Sequence, residues 1–554
     1  MIRKITNNWR FILLVIICLI TGFFYSYLAI TIQGDIYPSE NEQKLVFNSP
    51  DETANYFFSY LYTTQNQLGI EESDNFQVNG LVSPRSMRFV NGHTVPVSFF
   101  GLMLTLGVLA KLFTLSSLVF LPSILAALAA IYFYLLIRRL FDKNIALLST
   151  IFFLIFPAYW YYSTRSFFNN VLFLDFLIIG LYYLLVSFEK HRVCLYFLSG
   201  FFLALSLFVR SSEVFWVAFL VLTILVINRK KLNTIFFLTF IPAGLLVALP
   251  LIYYNYLIYG QPISIGYNIS FIADDSNFIY NSTNLLKQLL LPFGVNIQNI
   301  LKNSINYFVN IFWWYFVLLF WSICYVIYSG IRKFQTNRKF FGNKEKQVLA
   351  YFVIYILISA YLILLYGSWS IVDNPDPTAV TIGTSYVRYF LPVYIFSLPL
   401  ISYFLLRVFK INKIIRHIFI LLILFSFFAM SLNIVFFDSE EGILKIENNI
   451  LNYQQIADNV IKMTETNSII IAEKNDKVFF PARRVIYKLN NEADYQAIDT
   501  LLQDDKIYWW RFKLNNDDLQ YIENKNLKNN FFWSLEPASY CFENQCLYPI
   551  KKLN

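Results

Sequence analysis

Asp51 and Glu52 stand side by side, just after Ser49 and Pro50 and just before an aromatic-rich run, TANYFFSYLY (53–62). A carboxylate placed near a reacting hydroxyl can take its proton, so both are candidate catalytic residues, with Asp51 as general base. The plainer reading is a helix start, with Ser49 as N-cap and Glu52 closing a capping box. Far along the chain, GTSYVRYFLP (383–392) sets Arg388 and Tyr389 at the end of an apolar run. A guanidinium fork matches the oxygens of a phosphate better than an ammonium does; the plainer reading is an arginine snorkelling to the interface. Arg85, Arg88, Arg165 and Arg210 have similar settings and are further candidates for an anion. Asn169 and Asn170 follow Arg165, but amide oxygens are weaker metal ligands than carboxylates. His93 is one of only three histidines, too few to build a histidine metal cluster. The segment YNYLIYGQPISIGY (254–267) adds Asn255 and Tyr267 around a Gly-x-Pro turn.

These residues need elements to hold them, and the composition says what kind. The 554 residues are 57% hydrophobic and 14% charged, where a soluble domain carries about a quarter charged. Most of the surface therefore faces something other than water. Apolar runs long enough to span occur at 11–32, 116–137, 144–160, 168–188, 193–209, 214–228, 234–254, 306–329, 347–366, 389–409 and 417–436. The expectation is an α-helical polytopic membrane protein of about 11 transmembrane helices. The first run follows Arg3, Lys4 and Arg10 but is too long for a signal peptide, so it is read as a retained helix.

Lysine and arginine set the orientation. They cluster at Arg3–Arg10, Arg138–Lys143, Lys190–Arg192, Arg229–Lys231, Arg332–Lys346 and Arg407–Arg416, in alternate connections. Placing these in the cytoplasm puts the N-terminus inside and the loops at 33–95, 255–305 and 367–388 outside, with the tail from 438. The net charge of +9 is then a topology signal, and nucleic acid is not an expected partner. One apolar segment, PVSFFGLMLTLGVLAKLF (96–113), would invert every later loop if it crossed. Charge parity makes it a juxtamembrane or re-entrant segment of the external loop 33–115.

The expected modules are a transmembrane unit over 1–437 and a small extracytoplasmic α/β domain over 438–554. In the tail, helices near 445–465, 492–503 and 515–525 alternate with strands near 468–472, 484–487, 507–512 and 530–535, and DKVFFP (476–481) reads as a loop. Cys541 and Cys546 flank a short turn and are disulfide candidates in an oxidising compartment.

With the loops in place, the chain resembles the GT-C superfamily of polyprenyl-phosphate-sugar glycosyltransferases, in particular the group of protein O-mannosyltransferases, aminoarabinose transferases and rhizobial lipopolysaccharide transferases. The carriers are the Asp51-Glu52 pair with Tyr56 in the first loop, RFVNGHTVP (88–96), the 254–267 segment and the Arg388-Tyr389 element. The match departs from the family where Val97 replaces a second proline and where Asn169 and Asn170 replace an acidic residue. The resemblance implies catalysis by Asp51 and a donor phosphate held by Arg388, with Arg88 and Arg165 as helpers. It implies a substrate pocket that includes Tyr56, His93, Asn169, Asn170, Asn255, Tyr267 and Tyr389. It admits a divalent metal ion and implies a polyprenyl-phosphate sugar donor, surrounding membrane lipids and a protein, lipid or glycan acceptor at the plasma membrane. A transporter would account for the helices but not the long loops, and a scaffold would leave Asp51 and Arg388 idle.

The topology has a direct test. A cysteine placed at Asn144 should resist a membrane-impermeant thiol reagent in intact cells, and ready labelling would overturn the assignment.

Overall fold

The computed structural model describes residues 9–33, 45–262, 290–336, 343–371, 373, 376, 378–408 and 413–553. The chain divides into two compact units. One comprises residues 1–29, 120–250 and 277–445; the other comprises 30–119, 251–276 and 446–554. We call them the helical unit and the mixed unit.

Helices long and apolar enough to cross a membrane number eight among the described residues, or ten if each of two bent pairs is one span. Every run expected from the sequence falls on one of these helices. The count drops below eleven because the runs at 193–209 and 214–228 are arms of one pair, bent by 116°. The other pair, Lys143–Ile155 and Pro157–Thr164, bends by 54° where Pro157 starts the second arm. In a membrane such breaks are tolerated where protein surrounds the freed backbone groups.

Within the helical unit the helix Asn169–Lys190 is central, with 83% of its apolar window buried, whereas Thr234–Tyr259 has only 17% buried. The second is apolar all round, as a helix facing lipid must be. Glycines allow the closest approaches: a Cβ on Gly200 would collide with the Phe240 carbonyl, and one on Gly180 would lie 2.8 Å from the Leu203 backbone nitrogen. Small residues serve membrane helix packing because lipid supplies no hydrophobic drive between helices.

The mixed unit joins the first long loop to the tail. The apolar segment 96–113 forms the helix Phe100–Leu112, whose 13 residues rise about 20 Å, short of the ~30 Å hydrocarbon core. It packs on the helix Pro50–Gln65, where a Cβ on Gly107 would lie 2.6 Å from the Tyr62 ring. Before it, strands β1 (Ile70–Glu71), β2 (Met87–Val90) and β3 (His93–Pro96) form an antiparallel sheet in the order β1-β3-β2. Asn91 and Gly92 make the β2–β3 turn, both at positive φ (49° and 87°), as a two-residue hairpin requires.

The tail carries β4 (Ile469–Ala472), β5 (Arg484–Ile486), β6 (Ile507–Phe512), β7 (Trp533–Leu535), β8 (Tyr540–Phe542) and β9 (Gln545–Lys552). The order is β5-β4-β6-β9-β7, with β8 also on β9; β4 pairs in parallel with β5 and β6, and β9 runs antiparallel to its neighbours. Cys541 and Cys546 face each other across β8 and β9 and are disulfide-bonded. Val78 and Val82 of the first loop are buried in the same core as Ile469, Ile471, Trp533 and Tyr548.

Arg484 of β5 also ties loop to tail. It meets Glu72 at 2.6 Å, Asp74 at 2.5 Å and Asp505 at 3.0 Å. Burial pushes the Glu72 and Asp505 carboxyls up, against the pull of Arg484. For Asp74 the hydrogen bond and charge of Arg484 outweigh burial and hold it down. The two raised groups bind protons more tightly folded than unfolded, so their contribution fades as pH rises through their folded values; the Asp74 contribution is lost as pH falls. Replacing Arg484 by glutamine leaves three carboxylates together. We predict that Arg484→Gln lowers the thermal midpoint of the full chain at pH 7.5 and that part of the loss returns at pH 5. Equal losses at both pH values in a fluorescence melt would refute this account.

Candidate active site

Each unit carries its own set of polar residues. In the mixed unit, Pro50–Gln65 starts as its sequence dictates: Ser49 is the N-cap, Pro50 takes the first turn, and Glu52 Oε2 accepts the Ser49 N–H at 3.1 Å. Glu52 is thus buried as the capping-box partner. Asp51 is half-buried, and its Oδ1 accepts the Ser86 hydroxyl at 2.6 Å. Ser86 has φ +61°, a region a non-glycine residue occupies only when its surroundings hold it there.

The holding is done by its neighbour. The Arg85 N–H donates to Asp476 Oδ2 at 2.7 Å, and its guanidinium donates to Oδ1 through Nε at 2.9 Å and Nη2 at 2.6 Å. Asp476 is fully buried, and charge-assisted forked pairs are the stronger class of hydrogen bond. The segment read as a loop begins as a short helix, Asp476–Phe479. Lys477 Nζ donates to the Asn48 carbonyl, and Phe480 packs edge-on against Phe57 at 4.8 Å. The tail thereby grips both Arg85 and the start of the Asp51 helix.

Of the remaining candidates of this unit, Tyr56, His93 and Asn255 have structural partners. Tyr56 packs on Phe47, with ring centroids 5.1 Å apart. His93 is exposed at the hairpin turn, with Nδ1 3.2 Å from the Asn91 carbonyl. Arg88 lies in β2 with a buried Nη1 that has no hydrogen-bond partner among the described residues. Asn255 Nδ2 donates to the Pro262 carbonyl at 3.4 Å, closing the Gly-x-Pro turn. Tyr267 lies outside the described residues.

In the helical unit, Arg165 and Arg388 come together. Both guanidiniums lie over the Phe168 ring, at 4.8 and 4.5 Å from its centroid. Arg165 donates to the Tyr161 hydroxyl and Arg388 to Ser385 Oγ, each at 2.7 Å. Asn170 Nδ2 donates to the Arg388 carbonyl at 3.2 Å. A third arginine adjoins them. Arg210 donates to Glu213 Oε1 at 2.6 Å, to Asn169 Oδ1 at 3.1 Å and to the Tyr366 hydroxyl at 3.2 Å. It also lies 4.7 Å from the centroid of Tyr389. Tyr389 in turn stacks between Tyr366 and Trp369, and Trp369 lies nearly parallel to Phe293. Asn169 and Asn170 therefore orient the arginines.

Two acidic partners in this region are absent from the sequence reading. Glu213 accepts from Arg210, from the Trp216 indole at 2.5 Å and from Tyr366. Glu441, beyond the last apolar helix, accepts from Thr381. Burial pushes its carboxyl up, while Thr381 and the charge of Arg165 pull it down. Gly383 lies against it, so that a Cβ there would push the Glu441 carboxylate aside. The dense acidic run Asp438–Glu441, directly after a span, is the signal that could have found it. Among the described residues no three His, Cys, Asp or Glu side chains gather as a metal site.

A family profile described as dolichyl-phosphate-mannose-protein mannosyltransferase matches residues 96–254. The structure is similar to archaeal oligosaccharyltransferase AglB from Archaeoglobus fulgidus, solved in complex with an inhibitory peptide and a dolichol-phosphate. That match has TM-score 0.52 and 12% identity, and covers 92% of this chain and 70% of AglB. It is also similar to ArnT from Cupriavidus metallidurans in the apo state, with TM-score 0.51, 9% identity and 98% of each chain covered. The chain shares the fold of these two proteins. No curated protein sequence matches it significantly. The profile match takes in Arg165, Asn169, Asn170 and Arg210 but neither Asp51 nor Arg388.

The buried pair Arg210–Glu213 offers a stability test. Removing one partner of a buried ion pair strands the other, at a cost of about 3–5 kcal/mol. Glu213→Leu should destabilise the protein by that order and Glu213→Gln, which keeps an acceptor, by clearly less. Thermal unfolding in detergent would show it, and equal losses would contradict the ion-pair account.

Proposed function

We propose that this protein is a membrane glycosyltransferase that moves a sugar from a polyprenyl-phosphate-linked donor to an acceptor at the outer face of the membrane. The observation that carries the reading is the shared seat of Arg165 and Arg388 on Phe168, with Arg210 beside them, in a GT-C fold. Buried guanidiniums on aromatic faces keep their charge and can neutralise a phosphate. The dolichol-phosphate in the AglB complex is a ligand of that chemistry.

In the helical unit Arg388 and Arg165 hold the donor phosphate and stabilise the negative charge that grows on it as the glycosidic bond breaks. Arg210, neutralised by Glu213, orients the same region. In the mixed unit Asp51 takes the proton of the acceptor hydroxyl, with Ser86 fixing the carboxylate. The acceptor oxygen bonds to the anomeric carbon, the electrons of the carbon–oxygen bond pass to the phosphate, and the proton ends on Asp51. A single displacement of this kind inverts the anomeric centre. Hexosyl and pentosyl donors both satisfy the scheme. The basic clusters support a cytoplasmic N-terminus and an extracytoplasmic C-terminal domain.

The test is transfer from radiolabelled polyprenyl-phosphate mannose or aminoarabinose to acceptor membranes prepared from cells that lack the protein. Asp51→Asn should lower the rate by about 10²-fold or more with the donor KM little changed. Arg388→Lys should raise the donor KM and lower kcat, because the fork is lost. Undiminished transfer by Asp51→Asn at equal expression would remove Asp51 from catalysis.

A further inference from the structure

The helical unit contains a cleft of about 260 Å³ that the glycosyltransfer scheme does not use. Leu181, Leu185, Leu220, Ile224, Ile354 and Phe396 are among its walls. It follows the helix Asn343–Ser368 from Gln347 to Ser359, a rise of about 18 Å. That is a little over half the ~30 Å hydrocarbon core of a bilayer, the depth of one leaflet.

Its two ends differ. At one end lie Trp216 and Pro392. The Trp216 indole N–H is fixed to Glu213 at 2.5 Å, and none of the three clustered arginines lines the cleft. The other end is ringed by Arg139, Glu189, Asn228, Lys231 and Gln347. Arg139 is ion-paired with Glu189. Lys231 is exposed, has no ion-pair partner among the described residues, and continues the exposed cations Arg229 and Lys230. An apolar slot as deep as one leaflet, with surplus positive charge at its mouth, complements a lipid with a long chain and an anionic head. A donor phosphate seated on Arg388 would instead enter from the end that Trp216 occupies.

We propose that this cleft binds an acidic phospholipid from the leaflet at the basic helix ends, with one acyl chain in the slot and the phosphate at Lys231 and its neighbours. Basic pockets between membrane helices bind anionic head groups in this way. This inference is independent of the glycosyltransfer reading.

The test uses the full chain in nanodiscs containing both phosphatidylcholine and phosphatidylglycerol, followed by release and native mass spectrometry. The wild type should retain one phosphatidylglycerol in preference to phosphatidylcholine. Lys231→Ala, at an exposed position, should reduce that preference by about fivefold. Filling the slot with Ile224→Trp and Ala350→Phe should abolish retention of either lipid while the thermal midpoint stays near wild type. Three results would overturn the proposal: no retained lipid, no preference between the two, or displacement of the lipid by added undecaprenyl phosphate.

Discussion

A guanidinium cannot lose its water without being repaid by other contacts, and three of them are buried in one region of the helical unit. Arg165 and Arg388 share the Phe168 face, and Arg210 has Glu213, Asn169, Tyr366 and Tyr389. These demands shape the backbone around them. Arg165 closes the helix Pro157–Thr164, Arg210 stands at the 116° bend, and Arg388 sits in the short helix Ser385–Tyr389 before Leu391–Val408. Each arginine is therefore at a break in a helix. A continuous apolar helix satisfies its own backbone and leaves little room for such charges, whereas a break supplies hydroxyls, amides and free carbonyls to surround them.

The mixed unit solves a different problem, that of fixing a carboxylate on a loop-borne helix. Ser86 reaches Asp51 from a left-handed backbone conformation, and Arg85 is anchored on buried Asp476. The side chain that orients the proposed base is thus set by a residue of the tail. Val78 and Val82 share the tail's apolar core, and Arg484 draws Glu72 and Asp74 to it. The folded tail is part of what gives the first loop its conformation.

Much of this architecture is legible in the sequence because membrane burial imposes a simple rule. An apolar run of membrane length must become a helix to satisfy its own backbone, so every predicted run lies on one. Charge parity argues against counting 96–113 as a span, and the helix that forms there has 13 residues. The tail strand 507–512 and the capping box at Ser49 are equally local, set by residue alternation and by one polar residue beside a helix start. The Asn91-Gly92 hairpin is just as local, yet it is hidden when 88–96 is read only as a motif; the dipeptide is itself the turn signal.

What the sequence could not contain was the pairing of distant residues. Glu213 carries no mark of being an acidic partner of a buried arginine, because an isolated glutamate reads the same on a solvated loop, and the acidic run Asp438–Glu441 does not say which of its members is buried or what it meets. Arg85 reads as an interface anchor until Asp476 is folded against it. Spacing within one element determined the helices, caps and strands, since those depend on contacts a few residues apart. Which arginines share an aromatic face and which tail residue positions Asp51 were decided only by the tertiary structure. Those choices depend on desolvation, and a residue's desolvation is set by whatever distant segments the fold brings over it.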